Sequence, residues 1–146
     1  MERDIKHFIE HVLRDYPKLD SYIKKREEEL RIPYKPVDEN VGGGRAQNKR
    51  SEPELNMLIT IDEDRCLRNL RRNKKAVDDA LDDSSTDTIT IITELYFKKR
   101  QEYTIDGLVA NGKIYVSRAQ AFILRDKFLK KVAQNLEIPD VNINIK

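Results

Sequence analysis

Residues 103–138, YTIDGLVANGKIYVSRAQAFILRDKFLKKVAQNLEI, hold the most specific pattern in the chain. Thr104 offers a capping hydroxyl ahead of Ile105, Leu108 and Val109, whose spacing gives a short helix one apolar face. Asn111-Gly112 ends that helix, because both residues tolerate the left-handed backbone conformation. Ser117 then caps a longer helix. Counted from Ser117, the residues Ala121, Leu124, Phe128, Leu129 and Val132 stand at offsets of four, seven, eleven, twelve and fifteen, a stripe at helical period that predicts the buried face. Ala121 is small where the first helix must cross the second closely. Arg118, Gln120, Arg125 and Lys127 are left exposed. Two helices joined by a tight Gly-containing turn, the second capped by Ser, have the layout of a helix-turn-helix.

The elements upstream are also helical. Asp82-Asp83-Ser84-Ser85 supplies a break and a new cap, and Thr86 to Arg100 follows with a β-branched composition that favours a strand. The period argues for a helix instead: Ile89, Ile92 and Tyr96 form one stripe, with Asp87 near the start and Lys98-Lys99-Arg100 at the end to suit the helix dipole. Residues 84–138 therefore read as one helix-turn-helix domain. Before it, Ser51-Glu52-Pro53-Glu54 is a helix start, and Leu55, Ile59, Cys66, Leu70, Val77 and Leu81 predict one long helix over 51–83. A helix of that length suggests pairing with a second chain, and polar Asp62 and Asn73 in its seam would select a register. Arg65, Arg68, Arg71, Arg72, Lys74 and Lys75 make it basic, either as a solvated face balanced by neighbouring Asp residues or as a phosphate-contacting one.

At the N-terminus, Ile5, Phe8, Ile9 and Val12 form an apolar stripe that Asp15-Tyr16-Pro17 interrupts. A second stripe through Leu19, Ile23 and Leu30 completes a helical hairpin over 1–32. Residues 33–50, with two Pro and the triple Gly42-Gly43-Gly44, form a linker. Gly44 is followed by Arg45-Ala46 rather than Lys-Ser/Thr, so this is not a phosphate-binding P-loop. Arg45, Lys49 and Arg50 leave it either a basic arm or a plain connector. The tail, 139–146, alternates like a strand with no partner. The fold class is all-α.

Composition narrows the chemistry. Of 146 residues, 37% are charged and 38% hydrophobic, and the formal net charge is only +2. The distribution is uneven: residues 1–40 carry nine Lys/Arg against ten Asp/Glu, whereas residues 97–131 carry nine against three. Cys66 is alone, which excludes a disulfide framework and a Cys-based zinc site. His7 and His11 share a helical face but lack a third ligand of recognised spacing, so no metal or cofactor is expected. Carboxylates occur as helix-start or alternating-charge residues, and no nucleophile has a base and an orienting partner, so no enzyme is expected. No apolar run reaches the eighteen or so residues of a membrane span, and MERDIKHF has no signal-peptide core, which together predict a cytoplasmic location.

The first turns of a recognition helix enter the major groove, where Arg can bond guanine and Gln adenine in bidentate fashion. Ser117, Arg118, Gln120 and Arg125 are candidates for that contact. Phe122 and Ile123 can meet thymine methyl groups or another subunit. Thr104, Lys98, Lys99, Arg100, Lys113 and Lys127 are candidate backbone contacts.

The segment Thr104 to Val132 resembles the fourth region of bacterial sigma factors, whose recognition helix also begins with Ser-Arg. More of the chain is similar to the RinA family of phage transcriptional activators and the ArpU-like regulators. The blocks DYPKLDSYIKKREEEL (15–30), RIPYKPVDENVGGGR (31–45), LRNLRRNKKAVDDAL (67–81) and IITELYFKKR (91–100) resemble that family's in order. Tyr34 stands where the family pattern has Trp, a departure that bears on packing. The resemblance implies a sequence-specific activator of phage late genes, for packaging and structural operons, which binds double-stranded promoter DNA in the bacterial host. Separately from the resemblance, the N-terminal hairpin and the long central helix are expected to assemble chains into a homo-oligomer, a dimer in the simplest case, or to contact host RNA polymerase. Two other readings share the layout: a small terminase-like packaging subunit and a minimal sigma-like factor that binds RNA polymerase.

Overall fold

The computed structural model describes residues 1–31 and 64–139. Its elements are α1 (Arg3–Arg31), α2 (Arg65–Asp82), α3 (Thr86–Ile92) continued by a π-helical turn over Thr93–Phe97, α4 (Ile105–Ala110) and α5 (Arg118–Asn135). No strand occurs among the described residues, so the all-α class holds. The linker 33–50, the helix start at Ser51 and the tail beyond Pro139 lie outside them. By compactness the chain divides into two units, Met1–Leu19 with Arg72 onward, and Asp20–Arg71.

The larger unit has two apolar clusters. Ile9, Val12 and Leu13 of α1, Ala76, Val77 and Ala80 of α2, Ile92 and Tyr96 of the α3 segment, and Phe128, Leu129, Val132, Ala133 and Leu136 near the end of α5 form the first. Ile91, Ile105, Leu108, Ile114 and Ala121 form the second. The adjacent Ile91 and Ile92 are both fully buried, one in each cluster, while Ile89 is 37% exposed. The inward stripe of α3 is therefore Thr88, Ile91, Ile92 and Tyr96 rather than one led by Ile89. Full burial of each isoleucine contributes about 1.5–3 kcal/mol.

Three expectations are corrected. The N-terminal hairpin is one helix, α1, with Pro17 inside it. A proline at that position removes a hydrogen bond and costs about 3 kcal/mol, which the packing on either side of it offsets. Leu13 and Leu19 are buried, the Tyr16 ring stacks on Phe97 at 4.9 Å, and the Tyr16 hydroxyl donates to Asp78.

The long central helix does not run unbroken through residue 64. Asp64 is non-helical and caps α2, accepting from the Leu67 amide at 2.9 Å. Within the smaller unit Asp64 also receives Arg26 Nε at 3.1 Å and Nη2 at 2.9 Å, and these bonds, Arg26 first and the Leu67 amide next, lower its pKa to about 2. With α2 shortened to 18 residues, helix length no longer argues for a dimer. At the start of α2 Cys66 is exposed and Leu67 buried in its place, whereas Val77 is buried and Leu70 and Leu81 are half-buried as the stripe predicts. Arg71 pairs with Glu27, so part of the basic stretch is neutralised within that unit.

Third, the helix expected to reach Arg100 ends at Phe97. Lys98 is extended, and Lys98-Lys99-Arg100 lie beyond the helix end.

Helices α4 and α5 both end in a Schellman turn. In α4 the Lys113 amide bonds the Leu108 carbonyl and Gly112 supplies φ +68°. In α5 the Ile138 amide bonds the Ala133 carbonyl, and Glu137 occupies the left-handed position at φ 60°. A side chain there costs about 1 kcal/mol that glycine does not. Glu137→Gly is expected to raise stability by about 0.5–1 kcal/mol, read as a higher urea midpoint with an unchanged slope. A lowered midpoint would refute this description of the α5 terminus.

Candidate functional site

Helices α4 and α5 start at the caps their sequence predicts. Thr104 Oγ1 accepts from the Gly107 amide at 3.2 Å and Ser117 Oγ from the Gln120 amide at 3.1 Å, so both hydroxyls act as helix caps. Ala121 is fully buried in the cluster that holds Leu108 and Ile105. Of the stripe predicted for α5, Ala121, Phe128, Leu129 and Val132 are buried and Leu124 is half-buried. Seven residues, 111–117, connect the two helices, more than the three or four of the simplest turn.

The exposed side of α5 has two stripes. Gln120, Ile123 and Lys127, at offsets of three and seven, face solvent, with Ile123 52% exposed. Beside them, Arg118, Phe122 and Arg125 form a stack: the two guanidinium groups lie 4.9 and 5.2 Å from the Phe122 ring centre. Arg118 Nε also pairs with Asp106 at the start of α4. Both partners are more than half exposed, and such pairs contribute about 0.2–1 kcal/mol, so Arg118 can exchange Asp106 for another anion at small cost. Arg125 is held more firmly. Its side chain is 17% exposed and its Nε and Nη2 donate to Asp126 at 3.0 and 2.9 Å.

The cations expected to contact a backbone differ in availability. Lys98 lies 3.0 Å from Glu94 and 3.9 Å from Glu102, and Glu94 chiefly raises its pKa. Lys113 sits over the Tyr103 ring at 5.6 Å. Lys99, Arg100, Lys113 and Lys127 have no ion-pair partner among the described residues. Two residues went unnoticed in the sequence: Asp106, the counter-ion of Arg118, and Tyr115, 88% exposed on the connecting loop. The alternation Ile114-Tyr115-Val116, apolar on both sides of an outward ring, is the signal that marks Tyr115.

In the first apolar cluster, the Tyr96 hydroxyl donates to Glu10 at 2.7 Å, and burial followed by that carboxylate raises the tyrosine's pKa. No group of three or more His, Cys, Asp or Glu positioned to hold a metal occurs among the described residues. Likewise, none of the described helices is long and apolar enough to cross a membrane.

The sequence profile of one protein family, described as "Protein of unknown function (DUF722)", matches residues 6–134. No curated protein and no solved structure matches the chain.

If the Ser117 hydroxyl is a cap, Ser117→Ala lowers stability by about 1 kcal/mol and Ser117→Asp retains it, as thermal denaturation will register. Equal melting temperatures for all three proteins would refute the capping role.

Proposed function

We propose, for a chain that belongs to the DUF722 family of proteins of unknown function, the role of a sequence-specific binder of double-stranded DNA that regulates transcription. The observation that carries this reading is the charge pattern of the capped α4–α5 pair. Between Asp106 and Asp126, the partners of Arg118 and Arg125, there is no other Asp or Glu, and Lys113 on the connecting loop adds a cation with no ion-pair partner among the described residues. Polar Arg118 and Gln120 stand exposed in the first turn of α5. That turn is the part of a recognition helix that meets base edges.

In this reading Arg118 leaves Asp106 for a base edge or phosphate, and Gln120 reads a neighbouring base. Ile123 supplies an apolar contact to a thymine methyl group. Lys99, Arg100, Lys113 and Lys127 bind phosphates and make affinity salt-dependent. Arg125 supports Phe122 and, through it, the base-reading turn, because its guanidinium is already engaged. The resemblance to RinA-type activators supports a promoter as the target and late phage genes as the regulated set, in a bacterial host.

Footprinting on the genomic DNA that encodes the protein tests the proposal. The wild type is expected to protect a discrete site, and Arg118→Ala to need roughly tenfold or more protein for the same protection. An identical footprint from Arg118→Ala would remove α5 from base reading, and no protected site at all would refute sequence-specific binding.

A further inference from the structure

Tyr115 is the most exposed large hydrophobic residue among those described, at 88%, on a loop held at every side. Ile114 is buried and Val116 half-buried in the cluster that contains Leu108 and Ala121. The Lys113 amide bonds the Leu108 carbonyl at 2.9 Å at the loop entry, and Ser117 caps α5 at its exit. Between them the Tyr115 amide points at the Asp87 carboxylate, 3.4 Å from each oxygen. An ordered backbone therefore presents an aromatic ring to water two residues ahead of the α5 cap.

The residues around the ring select its partner. A tyrosine that anchors a protein interface sits within a patch of apolar neighbours that exclude water. Here the exposed residues nearest in sequence are Asn111, Gly112, Lys113, Ser117, Arg118 and Ala119, polar or cationic apart from the glycine and the alanine. Such a setting fits an anionic, polar partner, and tyrosine hydroxyls are among the groups that bind phosphate oxygens.

We infer that the Asn111–Ser117 loop rides on the sugar-phosphate backbone of duplex DNA. The Tyr115 hydroxyl donates to a phosphate oxygen, the ring lies against the adjoining deoxyribose, and the Lys113 ammonium pairs with a neighbouring phosphate. This rests on the reading of α5 as the helix that enters the groove, and it assigns to the loop the contact that sets how deeply α5 enters.

Because phosphate contacts are independent of sequence, a short fluorescein-labelled duplex of random sequence is the probe, with anisotropy at low salt as the readout. Tyr115→Ala is expected to bind roughly tenfold more weakly, with Tyr115→Phe in between. Melting temperatures stay unchanged because the ring is exposed. Salt dependence is the same in both Tyr115 variants, which remove no charge, whereas Lys113→Ala lowers the slope by about 1. The chain has no Trp, so Tyr115→Trp gives a single reporter whose emission changes when the duplex binds. Wild-type affinity in Tyr115→Ala, or emission from Tyr115→Trp that ignores saturating duplex, overturns the inference while leaving the DNA-binding reading intact. An oligomeric mass altered by Tyr115→Ala with DNA affinity intact assigns the ring to a protein contact and also overturns it. If the wild type binds no random duplex at any salt, the reading of α5 fails and this inference with it.

Discussion

The larger unit depends on one short helix being buried on two sides. Neighbouring residues on an α-helix point about 100° apart, so Ile91 and Ile92 can both be fully buried only if α3 is covered over much of its circumference. Packing from α1, α2 and the C-terminal half of α5 supplies one cover, and α4, the connecting loop and Ala121 supply the other. Either isoleucine cut to alanine would leave a cavity worth about 2–5 kcal/mol in one cluster. Because α5 contributes to both clusters, its position is set along most of its length. Its outer stripe can then carry Gln120, Ile123 and Lys127 in water without loss of order. Precise presentation of a few exposed side chains on a packed helix is what groove recognition requires.

Local hydrogen bonds refine that frame. Ser85, Thr104 and Ser117 each accept the amide three residues on, which gives α3, α4 and α5 defined starts. The Asn135 side chain donates to the Ala76 carbonyl at 3.0 Å, tying the end of α5 to α2. Electrostatics are redistributed by the same packing. The surplus of positive charge between residues 97 and 131 looks uniform in the sequence, but Lys98, Arg118, Arg125 and Lys131 each have a carboxylate within 4 Å. Within that stretch Lys99, Arg100, Lys113 and Lys127 have no ion-pair partner among the described residues.

How much of this the sequence disclosed depended on the range of the forces involved. Capping hydroxyls, the Asn111-Gly112 stop and the period of α5 act over a few residues, so α4, α5 and the helical class were all legible. Pro17 inside α1 was not, because what offsets its cost is a pair of contacts from Tyr16 to Asp78 and Phe97, far away in the chain. Asp64 reads locally as one more acid on a helix face, but its bond from the Leu67 amide makes it the cap of α2, and Arg26, far away in the chain, fixes its carboxylate there. The periodicity of α3 favours Ile89 only for a helix with one buried stripe, whereas a helix buried on two sides has no single stripe. For the site, exposed cations were visible as residue types, but Asp106 beside Arg118 and the outward Tyr115 needed three dimensions.

The central claim is that one face of this protein, the α4–α5 loop and the outer side of α5, meets duplex DNA. The most direct measurement is a map of backbone amide chemical shifts during titration with a short duplex. Changes concentrated in residues 111–127, with the α1 and α2 amides little affected, are the predicted result. Changes confined to residues 1–31 or 64–82, or no changes at saturating duplex in low salt, would contradict it.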